Sequence, residues 1–172
     1  MNTLILLGSL RSDSLNAALA REVAQLVPTG TTATIYDGLA DLPHYSEDLD
    51  SQNLPHAAAT LRDAVADADA VVVVTPEYNG AVSSAIKNAV DWASRPFGEG
   101  ALRGKPALVL SATASPRGGE WARENAVRML TVAGAAVAQQ TVGVPSAHEA
   151  FANGSLSDEK IKAEIRDLLD AN

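Results

Sequence analysis

The 172-residue chain contains no cysteine. That excludes disulfides, thiolate metal sites, iron–sulfur clusters and cysteine nucleophiles. It fits a reducing compartment, so a cytoplasmic location is expected. Basic residues are scarce: 13 Lys and Arg stand against 21 Asp and Glu, for a formal net charge of −8. Such a chain has no broad cationic surface for nucleic acid, and anionic membranes are disfavoured for the same reason. A bound phosphate must therefore be held locally, by a few donors in one loop. Long apolar runs are missing as well. Residues 1–8 are too short for a signal peptide and lack a basic flank, and Ala70–Val74 falls far below the roughly 20 residues that span a bilayer. Membrane insertion is not expected.

Apolar residues make up 47% of the chain, enough for a sizeable core, and the length suits a single domain over residues 1–172. No repeat, low-complexity tract or dividing linker interrupts it. Thr3–Gly8 and Ala70–Thr75 are short continuous apolar runs, as expected of strands buried on both faces. Thr31–Tyr36 is rich in β-branched residues and predicts another strand, as do Pro106–Ala112 and Ala135–Gln139, the last with a possible extension to Val144. Helical spacing predicts helices over Ser14–Val27, Pro55–Ala68 with Pro55 as its first residue, Ser83 or Ser84 to Ser94, and Glu120–Ala133. A last amphipathic helix opens at Ser157. The connection Leu39–Leu54 is polar, acidic and long, a character often associated with function.

Five strands alternating with five helices predict an α/β fold: a parallel sheet with helices on both faces. In the usual order 2-1-3-4-5 the ligand lies at the switch point between strands one and three. The chemistry is thus expected in the loops after Gly8, Thr75 and Ala112.

The first loop, Gly8–Asn16, offers hydroxyls at Ser9, Ser12 and Ser14, the amide of Asn16, the Arg11 guanidinium and a run of backbone N–H groups at a helix start. These suit a phosphate monoester. An ordinary turn with Ser14 as cap and Arg11 in solvent is the competing reading. Neither G-x-x-x-x-G-K-[ST] nor G-x-G-x-x-G occurs in this loop. The loop after the third strand, Pro76-Glu-Tyr-Asn-Gly80, combines a ring, a carboxylate and a permissive turn, which suits a planar heteroaromatic ligand. Asn79-Gly80 also has the composition of a hairpin turn, but the helical pattern that follows argues against a hairpin.

Together, Gly8-Ser-x-Arg-x-x-Ser-x-Asn16, Pro76-Glu-Tyr-Asn-Gly80, Lys87-Asn-Ala-Val-Asp-Trp92 and Leu42-Pro-x-Tyr-x-Glu-Asp48 resemble the NAD(P)H-dependent FMN reductase family, over nearly the whole chain. The resemblance implies a flavodoxin-like three-layer sandwich and a flavoprotein oxidoreductase related to quinone, azo-dye and chromate reductases. By that resemblance Ser9, Arg11, Ser14, Leu15 and Asn16 hold the FMN phosphate, with Leu15 contributing its backbone. Pro76, Glu77, Tyr78, Asn79 and Gly80 line the ring and ribityl chain, and Ser115 and Gly118 touch the ring edge. Arg117, in Thr113-Ala-Ser-Pro-Arg-Gly-Gly119, stands where relatives often carry glycine and is a candidate for the nicotinamide donor, NADPH or NADH. Ala81-Val-Ser83 also departs from the family pattern.

No protein side chain is expected to titrate in hydride transfer, because the cofactor carries the chemistry. A quinone, azo compound or free flavin would be the acceptor, in a two-step exchange. A flavin-binding carrier or regulatory protein without its own NAD(P)H turnover is the alternative. A homodimer or homotetramer is expected, with the helix bearing Trp92, and nearby Phe97, equally consistent with a subunit contact or plain core. His44, His56 and His148 have no ligand-like spacing, so no metal is implied. Ser111 and Ser115 lack a histidine partner motif, which leaves hydrolysis without support. Lys87 and Asp91 are spaced for a helical ion pair, and Glu47, Asp48 and Asp50 are expected in solvent.

Overall fold

A computed structural model describes residues 1–51 and 53–171. Gln52, part of the expected irregular connection, and Asn172 lie outside the described residues. The central sheet contains β1 (Asn2–Leu7), β2 (Thr32–Tyr36), β3 (Ala70–Val74) and β4 (Pro106–Ala112), all parallel, with β5 (Ala136–Val137) and β6 (Val142–Val144) completing one edge. The order is 2-1-3-4-5, as the switch-point rule requires.

The valine run of β3 explains why the sheet needs helices on both sides. Val71 and Val73 point to one face, where they join Leu4, Leu6, Ala107 and Val109 beneath α2 (His56–Asp67), α3 (Ser84–Ala93) and α4 (Glu120–Val132). Val72 and Val74 point to the other, with Ile5, Leu108 and Leu110, beneath α1 (Leu15–Leu26) and the C-terminal helix. Side chains alternate along a strand, so a run apolar at every position must be covered twice.

Three expectations need correction. The fifth strand is not continuous: β5 pairs with the start of β4 and β6 with its end, while residues 139–141 leave the ladder between them. A short helix α5 (Ala147–Ala150) and a two-stranded hairpin, β7 (Phe151–Ala152) with β8 (Ser155–Leu156), follow. The last helix, α6 (Glu159–Asp170), is capped by Asp158, whose carboxylate accepts from the N–H groups of Lys160 and Ile161. Ser157 instead donates its hydroxyl to the Ala150 carbonyl at 2.9 Å. Pro55 occupies the N-cap of α2 rather than its first turn. Among the described residues, no helix is long and apolar enough to cross a membrane.

The long connection is packed against α3. The Asn88 side chain accepts from the Tyr45 N–H at 2.9 Å and donates to the Pro43 carbonyl at 3.0 Å, and the Trp92 indole donates to that carbonyl at 2.8 Å. Trp92 is fully buried and meets Tyr45 edge-on at 4.9 Å, so of its two expected roles the structure assigns it to the core. Asp50 is not solvated. It pairs with Arg62 at 2.8 Å, which holds its carboxyl below the usual carboxylate range.

Candidate cofactor and substrate site

Gly8 ends β1 with its N–H on the Val74 carbonyl at 2.8 Å. A β-carbon there would stand 2.6 Å from Ile86 Cγ1 and from Ser83 Oγ, so only glycine lets the loop leave the sheet this close to α3. Beyond it, the backbone N–H groups from Ser9 through Leu15 have no intramolecular acceptor among the described residues. Arg11 is exposed and makes one bond within its own loop, to the Asp13 carbonyl, with no carboxylate partner among the described residues. The loop therefore holds a concentration of unengaged donors ahead of the N-terminus of α1, where the helix dipole adds to their attraction for an anion.

Ser14 and Asn16 have other work. Ser14 Oγ caps α1 by accepting from the N–H groups of Asn16 and Ala17 at 3.1 and 3.4 Å. The buried Asn16 amide forms a two-point clamp on Ala112: Nδ2 donates to its carbonyl at 2.8 Å, and Oδ1 accepts from its N–H at 2.9 Å. Asn16 thus fixes the start of α1 to the end of β4, and only one of its amide hydrogens remains for a ligand.

In the third loop, Tyr78 and Ala81 exchange both backbone hydrogen bonds at 3.0 Å, and Asn79 and Gly80 have φ of 51° and 72°. Positive φ at both central positions is the signature of a primed hairpin turn. The hairpin excluded by sequence pattern is therefore present, as a single bridge directly before α3. Tyr78 is 59% exposed, a ring held out on a rigid turn. Glu77 is half-buried: its carboxylate accepts from the Ala122 N–H at 3.0 Å and so caps α4 from a different loop.

The three loops meet as expected. A cavity of about 240 Å³ is lined by Ser9, Arg11, Ser14, Leu15, Asn16, Pro76, Glu77 and Tyr78, together with Ala112, Thr113 and Ala114. Asn79 and Gly80 instead line an adjoining concavity of about 470 Å³, shared with Trp121, Glu124, Asn125 and Arg128 of α4. Ser115, Arg117 and Gly118 line neither. The Ser115 carbonyl accepts from the N–H groups of Gly118 and Ser146. The buried Gly118 carbonyl accepts from Ser111 Oγ and from the Arg123 guanidinium. Arg117 stacks over the Trp121 ring, 4.8 Å from its centroid.

Sequence reasoning missed Ala112, Thr113 and Ala114 as lining residues, although the switch-point rule had marked that loop. It also missed Trp121, which falls inside the helix expected over Glu120–Ala133. A large ring in a chain with 4% aromatics, at the first turn of a helix following a predicted site loop, was the available signal.

The donors fit FMN. Unengaged N–H groups, the Ser9 hydroxyl and the Arg11 guanidinium match a phosphate monoester, and the Tyr78 ring with the turn N–H groups matches a flat ring with polar edges. Comparison with known proteins agrees. Residues 1–149 match the family model for NADPH-dependent FMN reductases. The chain is 39% identical over 128 residues to a quinone reductase of Pseudomonas putida, covering 74% of this chain and 68% of that one. It is 37% identical over 166 residues to an NAD(P)H-dependent FMN reductase of Pseudomonas aeruginosa, covering 95% and 89%. Among solved structures, FerB of Paracoccus denitrificans, a flavoenzyme NAD(P)H:(acceptor) oxidoreductase, superposes with a TM-score of 0.88 at 34% identity, over 99% of this chain and 93% of that one. The chain belongs to the NADPH-dependent FMN reductase family, and is a flavodoxin-like oxidoreductase that uses FMN with a nicotinamide donor.

Proposed function

We propose that the protein, working as a single domain in the cytoplasm, passes reducing equivalents from NAD(P)H through FMN to a small quinone-type acceptor. The observation that carries this reading is the 240 Å³ cavity, in which the phosphate-type donors of the first loop face Tyr78 of the third. FMN, when bound, supplies the capacity to take a hydride from one substrate and deliver it to another. The protein's share is binding and orientation. Ser9, Arg11 and the N–H groups from Ser9 through Leu15 hold the phosphate. Ser14 and Asn16 shape that loop through the cap of α1 and the clamp on Ala112.

Pro76 and Tyr78 bound the ring site, while Glu77 locks their loop to α4. Asn79 and Gly80 present N–H groups without intramolecular acceptors among the described residues, suited to negative charge at the ring edge. Ser115 and Gly118 act on the ring edge by fixing the loop after β4 rather than by direct contact. A second copy of the chain is the proposed occupant of a groove of about 590 Å³ between α3 and α4. Exposed Phe97 and Val132 flank it, and Lys87, Asp91 and Arg95 rim it with charges of both signs, which lets the patch complement itself across a two-fold axis.

The test is an anaerobic visible titration with FMN, followed by NADPH or NADH and then a quinone. Flavin bands that develop, bleach with a donor and return with the quinone are expected. Bands that persist with both donors would identify a carrier instead, and no flavin binding would overturn the reading.

A further inference from the structure

The turn Tyr78–Ala81 has a second side. Trp121, Glu124, Asn125 and Arg128 lie three, four and seven residues apart on one face of α4, and with Asn79 and Gly80 they form the 470 Å³ concavity. Trp121 is half exposed, with its ring against Gly80: a β-carbon there would lie 3.6 Å from Trp121 Cε3. Arg117 stands over the same ring and has no carboxylate partner among the described residues, and the same is true of Arg128. Seven residues of helix set Trp121 and Arg128 about 10 Å apart along the axis. The result is an aromatic shelf overlain by Arg117, with Arg128 two turns along the helix, outside the cavity that holds Arg11.

We propose that this shelf binds the phosphate-bearing adenosine half of the nicotinamide donor, an inference that rests on the reductase reading. The charge balance argues for it. A neutral quinone needs no cation, whereas the dinucleotide brings several negative charges toward a protein whose own net charge is −8. Approach of that anion requires local cations that are not already paired. Stacking on Trp121 holds the Arg117 guanidinium in place and leaves its planar fork for phosphate oxygens, so little side-chain freedom is lost on binding. Arg128 supplies the second pole. Glu124 between them repels phosphate but accepts from ribose hydroxyls or the exocyclic amine of the purine. The shelf thus offers an adenosine nucleotide a cation laid on Trp121, a second cation two turns along the helix and an acceptor between them.

The experiment uses the FMN-loaded protein and adenosine 2′,5′-bisphosphate, which has no nicotinamide and cannot be reduced. Calorimetric titration is expected to detect binding to the parent protein. Affinity should fall at least tenfold in Arg117→Ala, recover in part in Arg117→Lys, and be largely kept in Trp121→Phe but not in Trp121→Leu. In steady-state kinetics kcat/KM for NADPH should fall by a similar factor in Arg117→Ala, while kcat/KM for p-benzoquinone and the FMN affinity stay within twofold. A loss for NADPH alone assigns the 2′-phosphate to Arg117, and an equal loss for NADH assigns the diphosphate.

Bisphosphate that does not bind the parent, or binds Arg117→Ala equally well, overturns the proposal. So does a Trp121→Leu protein whose only change is a smaller mass in light scattering, which would make the shelf a subunit contact. A parent protein that binds the bisphosphate but is not bleached by NADPH would sink the reductase reading alone. One that is bleached without binding the bisphosphate would sink the shelf alone.

Discussion

The loops after β1 and β4 sit at the same end of the sheet and are both rich in small polar residues, yet they treat their hydrogen-bonding groups in opposite ways. In residues 9–15 the backbone N–H groups and the Arg11 fork are largely unengaged. In residues 113–119 the polar groups other than the Arg117 fork close on the protein itself: Ser111, Arg123 and Thr141 form a network onto Gly118, and Ser115 accepts from two backbone N–H groups. Two loops of similar composition are thus an open row of donors and a brace. What separates them is whether donors have internal acceptors, a property of the folded state that composition does not carry.

Substitutions can break this contrast. The largest effect is expected from Asn16→Ala, which leaves the buried N–H and carbonyl of Ala112 without partners and should cost about 3 kcal/mol of stability in the cofactor-free protein. Chemical denaturation measures it. Arg123→Met attacks the brace. Burial pulls this guanidinium's pKa below its usual value against the opposing pull of Glu120, Glu77 and Glu124, so its removal also relieves a desolvation cost. A net loss of about 2 kcal/mol is expected by the same assay.

Arg11→Ala reverses the pattern. Its apo stability should be unchanged, whereas FMN affinity in a fluorescence titration should fall at least tenfold, about 1.4 kcal/mol. An Arg11 variant that loses stability and keeps its affinity would erase the distinction. The smallest effect belongs to a pair outside both loops. Because Arg62 lowers the Asp50 pKa, the pair's contribution is complete above the unfolded-state value and is lost as pH falls through the folded one. Asp50→Asn should therefore cost up to about 1 kcal/mol at neutral pH and nothing in strong acid.

The sheet, its strand order and the three site loops were legible because they depend on local pattern: valine runs, helical spacing and Gly or Pro at the breaks. The cluster of unengaged donors after β1 was legible for the same reason, since those donors are contiguous in sequence. Asn16 was not, because the group that claims its amide is 96 residues away. Glu77 lines the cavity with its expected neighbours, but its cap on a helix 45 residues later left no local signal. The Asn79-Gly80 turn was rejected because a hairpin was imagined as two strands, whereas one bridged pair satisfies the same dihedral demand. Asp50 looked like part of an acidic run until Arg62, nearly two turns into a helix beyond it, came within 2.8 Å.

The Glu77 cap has a kinetic consequence. Helix α4 begins at a glycine that offers no side-chain acceptor, so the amide of Ala122 depends on a carboxylate from the β3 loop. Such a contact forms only after distant segments have docked, which places it late along the folding route. Losing it should hasten unfolding while leaving refolding almost untouched. In hydrogen exchange, the first turn of α4 would then open on the timescale of the loop that carries Glu77 rather than on that of the helix itself.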